Sequence, residues 1–203
     1  MPFISIEGVD GSGKTLQTEM LVEYLHGLGK SVIRTKEPDG GRLGAEVRAI
    51  LVNPLHVLSP VEQLLLVSAA RYDHVRSVIR PAVAAGDWIV CDRFLDSTVA
   101  FQVAVSATDL SNVHEEVASV VVGNTMPDLT VVLDCPIEVA DARRRGRLDD
   151  NEDPAEAFRD FGAVRTALLE VARRDPHRCR IVDADRDAED VAADVRRLIG
   201  PLL

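Results

Sequence analysis

Residues Gly8-Val9-Asp10-Gly11-Ser12-Gly13-Lys14-Thr15 spell out G-x-x-x-x-G-K-[ST], the phosphate-binding P-loop pattern. Four positions are constrained, so a chain of this length matches by chance on the order of 1% of the time. The flanks sharpen the reading. An apolar, β-branched run, Phe3-Ile4-Ser5-Ile6-Glu7, leads in, and Leu16, Met20, Leu21, Tyr24, Leu25 and Leu28 follow at helical spacing. Strand, loop and helix in that order are what the motif requires, which disfavours an ordinary glycine-rich turn. The glycines let backbone N–H groups wrap phosphate oxygens at the positive end of the helix. Gly8 through Thr15 thus form the candidate phosphate cradle, in which Lys14 adds charge and Thr15 offers a hydroxyl to Mg²⁺.

Composition bounds the rest. A chain of 203 residues suits one α/β domain spanning 1–203, with a small lid at about 143–154. Lys and Arg number 23 against 33 Asp and Glu, a net charge of −10. That balance argues against non-specific binding to nucleic acid or to anionic membranes, so local cations must hold any phosphate. Cys91, Cys135 and Cys179 are odd in number and widely spaced, which suggests neither a disulfide framework nor a zinc site. The expected compartment is a reducing cytoplasm. With no charged and apolar leader pattern and no apolar run near the ~20 residues that span a bilayer, the chain reads as soluble and unprocessed.

Along the chain, strands are expected at 3–7, 31–36, 87–91, 128–134 and 179–182. Helices should follow the P-loop and cover 43–52, 59–81, most of 95–122 with a break at 106–111, 137–145, a stretch ending at 173, and 188–198. Ser59 and Glu62 make a capping box for the third of these. Strands alternating with helices predict an α/β fold of three layers, a five-stranded parallel sheet flanked by helices. Asp92 and Arg93 leave the third strand at its carboxyl end, where ligands gather in such sheets. The five histidines lack metal-ligand spacing and read as surface or packing residues, and Trp88 and Phe158 as core.

Neither a guanine-reading N-K-x-D nor a switch-like D-x-x-G outside the loop is present, which speaks against a GTPase. Arginines instead recur where two phosphorylated substrates would need clamping: Arg48, Arg71, Arg93, and the cluster Arg143, Arg144, Arg145 and Arg147. Arg48 and Arg71 could equally cover helix surfaces, and the cluster could be a solvated helix end.

Over most of its length the chain resembles the thymidylate kinases, P-loop enzymes that pass the γ-phosphoryl of ATP to dTMP. The resemblance is carried by residues 3–15, Glu37-Pro38, Ala69-Ala70-Arg71, Asp92 through Gln102, Pro127-Asp128-Leu129-Thr130 with Leu133-Asp134, and 143–152. It implies the P-loop NTPase fold, ATP on the loop with Mg²⁺ held by Thr15 and Asp92, and a homodimer. By position, Asp10 would hold the acceptor sugar, and Arg48 and Arg93 its phosphate. Arg71 would meet the thymine edge with Thr98 and Gln102 nearby, and Glu37, Val67, Asp92 and Phe101 would complete the pocket. Lys14 and Arg93 would stabilise the transferring phosphoryl. In this family a catalytic arginine comes from the P-loop or the lid. Gly11 follows Asp10 here, so Arg143, Arg145 or Arg147 would supply it.

The departures concern the acceptor. Lys36-Glu37-Pro38-Asp39-Gly40-Gly41 stands where Arg-Glu-Pro-Gly-Gly-Thr is usual, Val67 replaces a stacking aromatic, and Phe101 a tyrosine. Two competing readings follow: the same chemistry on another pyrimidine or modified nucleoside monophosphate, and a weakly active nucleotide-binding regulator.

Overall fold

The computed structural model describes residues 1–146 and 160–203. Five parallel strands, β1 (Phe3–Gly8), β2 (Val32–Lys36), β3 (Trp88–Asp92), β4 (Leu129–Asp134) and β5 (Cys179–Asp183), form one sheet in the order β2-β3-β1-β4-β5. The middle strands are covered on both faces, and every residue of β1 is buried, the polar Ser5 and Glu7 included. Register aligns Ile4 with Val90 on one side and with Leu129 on the other. It also pairs Lys36 with Asp92 and Asp92 with Ile6, so the carboxyl ends of β1, β2 and β3 open onto one place.

Helices α1 (Lys14–Gly27), α2 (Gly44–Leu51), α3 (Pro60–His74), α4 (Arg80–Ala85), α5 (Leu95–Thr98), α6 (Ser111–Val121), α7 (Ile137–Arg145), α8 (Phe161–Arg174) and α9 (Ala188–Ile199) connect and flank the strands. The capping box forms as expected: Glu62 N donates to Ser59 Oγ at 3.3 Å and Ser59 N to Glu62 Oε2 at 2.7 Å. The helical rod does not end near Pro81 as the sequence predicts. A π-helical turn, Val75–Ile79, joins α3 to α4, and the rod continues to Ala85. Because the wide turn interrupts the regular ladder just upstream, Pro81 falls in the first turn of a new segment, where its missing N–H costs nothing. Gly86 then ends the rod at φ 88°. A second π-helical turn, Val99–Val103, carries Phe101 and Gln102.

One core cluster joins Ile4, Ile6, Leu25, Trp88, Val131, Leu168 and Ile199. A second joins Phe3, Val75, Ile79, Ile89 and Phe94, with the Phe3 and Phe94 rings edge to face at 5.0 Å. At about 1.5–3 kcal/mol for each large side chain, this burial dominates the local caps. Trp88 is core as expected, whereas Phe158 and Arg147 lie outside the described residues, as does most of the expected lid. The three cysteines are free and buried. Among the described residues no helix is long and apolar enough to cross a membrane.

Candidate active site

The loop between β1 and α1 is shaped by glycines in the left-handed region, Gly11 at φ 88° and Gly13 at φ 96°. At Gly11 the requirement is also steric, because a Cβ there would come within 2.2 Å of the Ala140 carbonyl oxygen of α7. The first turn of α1 leaves its N–H groups facing the loop, and Ser12 Oγ is buried without a hydrogen-bond partner among the described residues. That is a cradle with donors to spare for an anion. Lys14 is buried, and its Nζ donates to the Val9 carbonyl at 2.9 Å and to Asp10 Oδ1 at 3.5 Å. Burial, and next the positive charge of Arg93, push the Lys14 ammonium pKa below its ordinary value. Thr15 Oγ1 donates to Asp92 Oδ2 at 2.8 Å, which joins the two residues expected to serve Mg²⁺.

Arg93 sits at φ 70°, a strained conformation for a side chain of its size. Several contacts hold it there. Its N–H donates to the Ile6 carbonyl at 3.0 Å. Nη1 donates to the Gly8 carbonyl at 3.0 Å and to Ser97 Oγ at 3.1 Å, and Nη2 to Asp10 Oδ1. Its guanidinium lies 4.7 Å from the centre of the Phe101 ring. Burial opposes its charge, but Asp10 and Asp92 outweigh that and push its pKa up. Behind the turn, Glu7 accepts from Phe94 N at 2.7 Å and Ser97 Oγ at 2.5 Å. Burial, then the nearby Asp96 carboxylate, push Glu7 up to about 7.

One cavity of about 160 Å³ joins these groups to the end of β2 and to α2: Asp10, Gly11, Gly13, Lys14, Thr15, Lys36, Glu37, Arg48, Asp92 and Arg93 line it. The donor loop and two of the expected acceptor arginines therefore share one space. Arg71 is buried rather than spread on a helix surface. Its Nε donates to Glu37 Oε2 at 2.6 Å, Nη1 to Thr98 Oγ1 at 2.8 Å and Nη2 to the Phe94 carbonyl at 3.1 Å. Val67 and Phe101 are half-buried, and Gln102 is buried with its Nε2 3.4 Å from Gln63 Oε1. Of the lid candidates, Arg143 donates to the Ala184 carbonyl at 3.0 Å, and Arg145 is exposed at the end of α7.

A sequence model described as thymidylate kinase matches residues 6–195. A thymidylate kinase of Pseudomonas syringae pv. syringae is 42% identical over 207 aligned residues, covering 99% of this chain and 96% of that protein. The chain belongs to the thymidylate kinase family. A family member from Alcanivorax borkumensis is 38% identical, covering 97% and 95% of the two chains. The solved thymidylate kinase of Ehrlichia chaffeensis shares the fold at a TM-score of 0.75 and 29% identity over 98% of each chain.

Against that family background, three features escape a reading of the sequence. Asp39 binds Arg48, with Oδ1 and Oδ2 at 2.7 and 2.8 Å from Nε. His74, read only as surface or packing, is fully buried and bridges Glu37 Oε1 at 3.1 Å and Thr35 Oγ1 at 2.8 Å. Arg178 binds Asp96 beside the Arg93 turn, with Nη1 2.6 Å from Oδ2 and Nη2 2.9 Å from Oδ1. The only hint of the first in the sequence is an aspartate where the family pattern has glycine. The other two pair residues too far apart along the chain for any spacing rule.

Proposed function

We propose that the chain transfers the γ-phosphoryl of ATP to dTMP, giving ADP and dTDP. The observation that best supports this is the single cavity in which the P-loop faces Arg48 and Arg93. In this reading Gly8 through Thr15 bind the donor phosphates, Arg48 and Arg93 grip the acceptor phosphate, and Asp10 meets its sugar. Arg71 has Glu37, Thr98 and the Phe94 carbonyl to hold its guanidinium while it meets the base, with Val67, Phe101 and Gln102 nearby. Asp92 and Thr15 suit a hard cation, since their adjacent carboxylate and hydroxyl oxygens can be completed by phosphate oxygens and water. When bound there, Mg²⁺ supplies charge neutralisation on the phosphates.

The chain's own residues do the rest by placement and charge. The acceptor phosphate, with a second pKa of about 6, is largely ionised near neutral pH, so no dedicated base is required. Lys14 and Arg93 meet charge on the transferring group, and a further arginine comes from Arg143, Arg145 or Arg147. Arg143 as placed is bound to the Ala184 carbonyl and would have to leave it for this role. One kinase domain spans 1–203 in this reading, with its lid at about 143–154. The reading also includes a cytoplasmic homodimer, which sedimentation at micromolar concentration tests.

A coupled assay of ADP release across nucleoside monophosphates tests the acceptor. Turnover strongly favouring dTMP is expected, preference for another monophosphate replaces the acceptor, and tight ATP binding with no transfer leaves only a nucleotide-binding protein.

A further inference from the structure

Two of the cations at the cavity wall, Lys36 and Arg48, share one counter-ion that does not itself line the cavity. Asp39 Oδ2 lies 3.0 Å from Lys36 Nζ, and both Asp39 oxygens accept from Arg48 Nε. Asp39 is also the best buried of the three, its side chain 16% exposed against 59% for Lys36 and 46% for Arg48. Burial alone would raise its pKa, but the hydrogen bonds from Arg48 and Lys36 prevail and lower it, so the carboxylate is charged at neutral pH. Because Asp39 takes only Nε, it leaves Nη1 and Nη2 of Arg48 for an anion, the fork geometry that suits phosphate.

The loop that carries Asp39 is itself clamped. A Cβ at residue 40 would lie 2.3 Å from His74 Nε2, and one at residue 41 would lie 2.7 Å from Asp73 Oδ2, so the two glycines press the loop onto α3. Asp73 Oδ2 then accepts from Arg42 N at 2.5 Å and Leu43 N at 3.3 Å. A clamped loop bearing a half-buried carboxylate is a fixed post for two long, largely exposed side chains.

We propose that Asp39 is a positioning residue: it holds Arg48 and Lys36 at the cavity wall and so sets the affinity for the phosphate of the acceptor. This rests on the reading of the chain as a monophosphate kinase. Two effects of Asp39 oppose each other. Its charge weakens the wall for an anion, whereas its hold on two long side chains means that less freedom is lost when the phosphate arrives.

Two variants separate them. Asp39→Asn removes the charge but keeps an oxygen for Arg48 Nε, and Asp39→Ala removes both. The acceptor KM is expected to be about five- to tenfold higher in Asp39→Ala than in Asp39→Asn, with kcat equal within about twofold. The gap should narrow when Arg48→Ala is added to each, leaving the part carried by Lys36, and vanish when Lys36→Ala is added as well. Equal KM values in the two single variants, or a gap that survives removal of both cations, would overturn the proposal. A wild type that turns over some other monophosphate but not dTMP corrects the acceptor alone, and the comparison is then read on that monophosphate. A wild type that phosphorylates none overturns both readings.

Discussion

Arg93, proposed to grip the acceptor phosphate, also carries backbone strain at the candidate site. A backbone at φ 70° suits glycine better than arginine, yet the side chain reaches the Gly8 carbonyl, Ser97 and Asp10 from that position. Arg93→Gly should therefore relieve the backbone while removing the cation. It is expected to lower kcat/KM for dTMP by about 10²–10³ with no loss of melting temperature from backbone strain. Activity within tenfold of wild type would remove Arg93 from the machinery. Its importance is readable from the sequence because it follows a buried strand directly. Its left-handed backbone is not, since that depends on contacts with Ile6 and Gly8 some 85 residues away along the chain.

Glu7 makes a second prediction at this scale. Its folded-state pKa of about 7 lies above the ordinary 4.5. Below pH 4.5 the carboxyl is protonated in both states. From there to about 7 the native state keeps a proton that the unfolded chain releases, so this group's contribution to stability falls as pH rises and levels off above 7. Integrated over that window the loss is about 3 kcal/mol. Burial lowers the pKa of His114, which acts in the opposite direction, but it does so in wild type and variant alike. Urea unfolding at a series of pH values should show Glu7→Gln gaining on the wild type across pH 4.5–7. Parallel pH profiles would contradict the assignment.

Between elements, the P-loop touches α7. The Ala140 carbonyl faces Gly11 so closely that no side chain fits at that position without movement of one or the other. Gly11→Ala combines a positive φ with a backbone clash, and it is expected to cost about 2 kcal/mol or more and to weaken ATP binding. Thermal melting and nucleotide titration check this, and a neutral Gly11→Ala would show that α7 yields easily. The same contact leaves no room for a basic side chain directly after Asp10, so in the proposed reaction the further arginine would have to come from α7 or from past its end. Strands, helix order and the Ser59 cap were all legible because each is written in a short contiguous pattern. The helical rod past Pro81 was not, since a proline reads as a stop and nothing local announces the π-helical turn that accommodates it.

Across the whole molecule, the site is braced by a polar chain that crosses the sheet. Arg178, at the entry to the edge strand β5, binds Asp96 with two hydrogen bonds and reaches Thr130 Oγ1 at 2.7 Å, which in turn meets Ser5 Oγ at 2.7 Å. The edge of the sheet is thereby tied to α5, one residue from Ser97 and the Arg93 turn. Asp96 is 5% exposed and Arg178 16%, so removing the arginine leaves a carboxylate with little water to turn to. It also leaves that charge beside Glu7, whose pKa Asp96 already raises. Arg178→Met is expected to destabilise the protein by about 3–5 kcal/mol, the cost of a buried charge stripped of its partner rather than the net worth of the pair. Adding Asp96→Asn should recover part of that loss, because no uncompensated charge then remains. Urea unfolding of the single and double variants decides the matter: if the double variant is as unstable as the sum of the two singles, the pair is not coupled and the brace lies elsewhere.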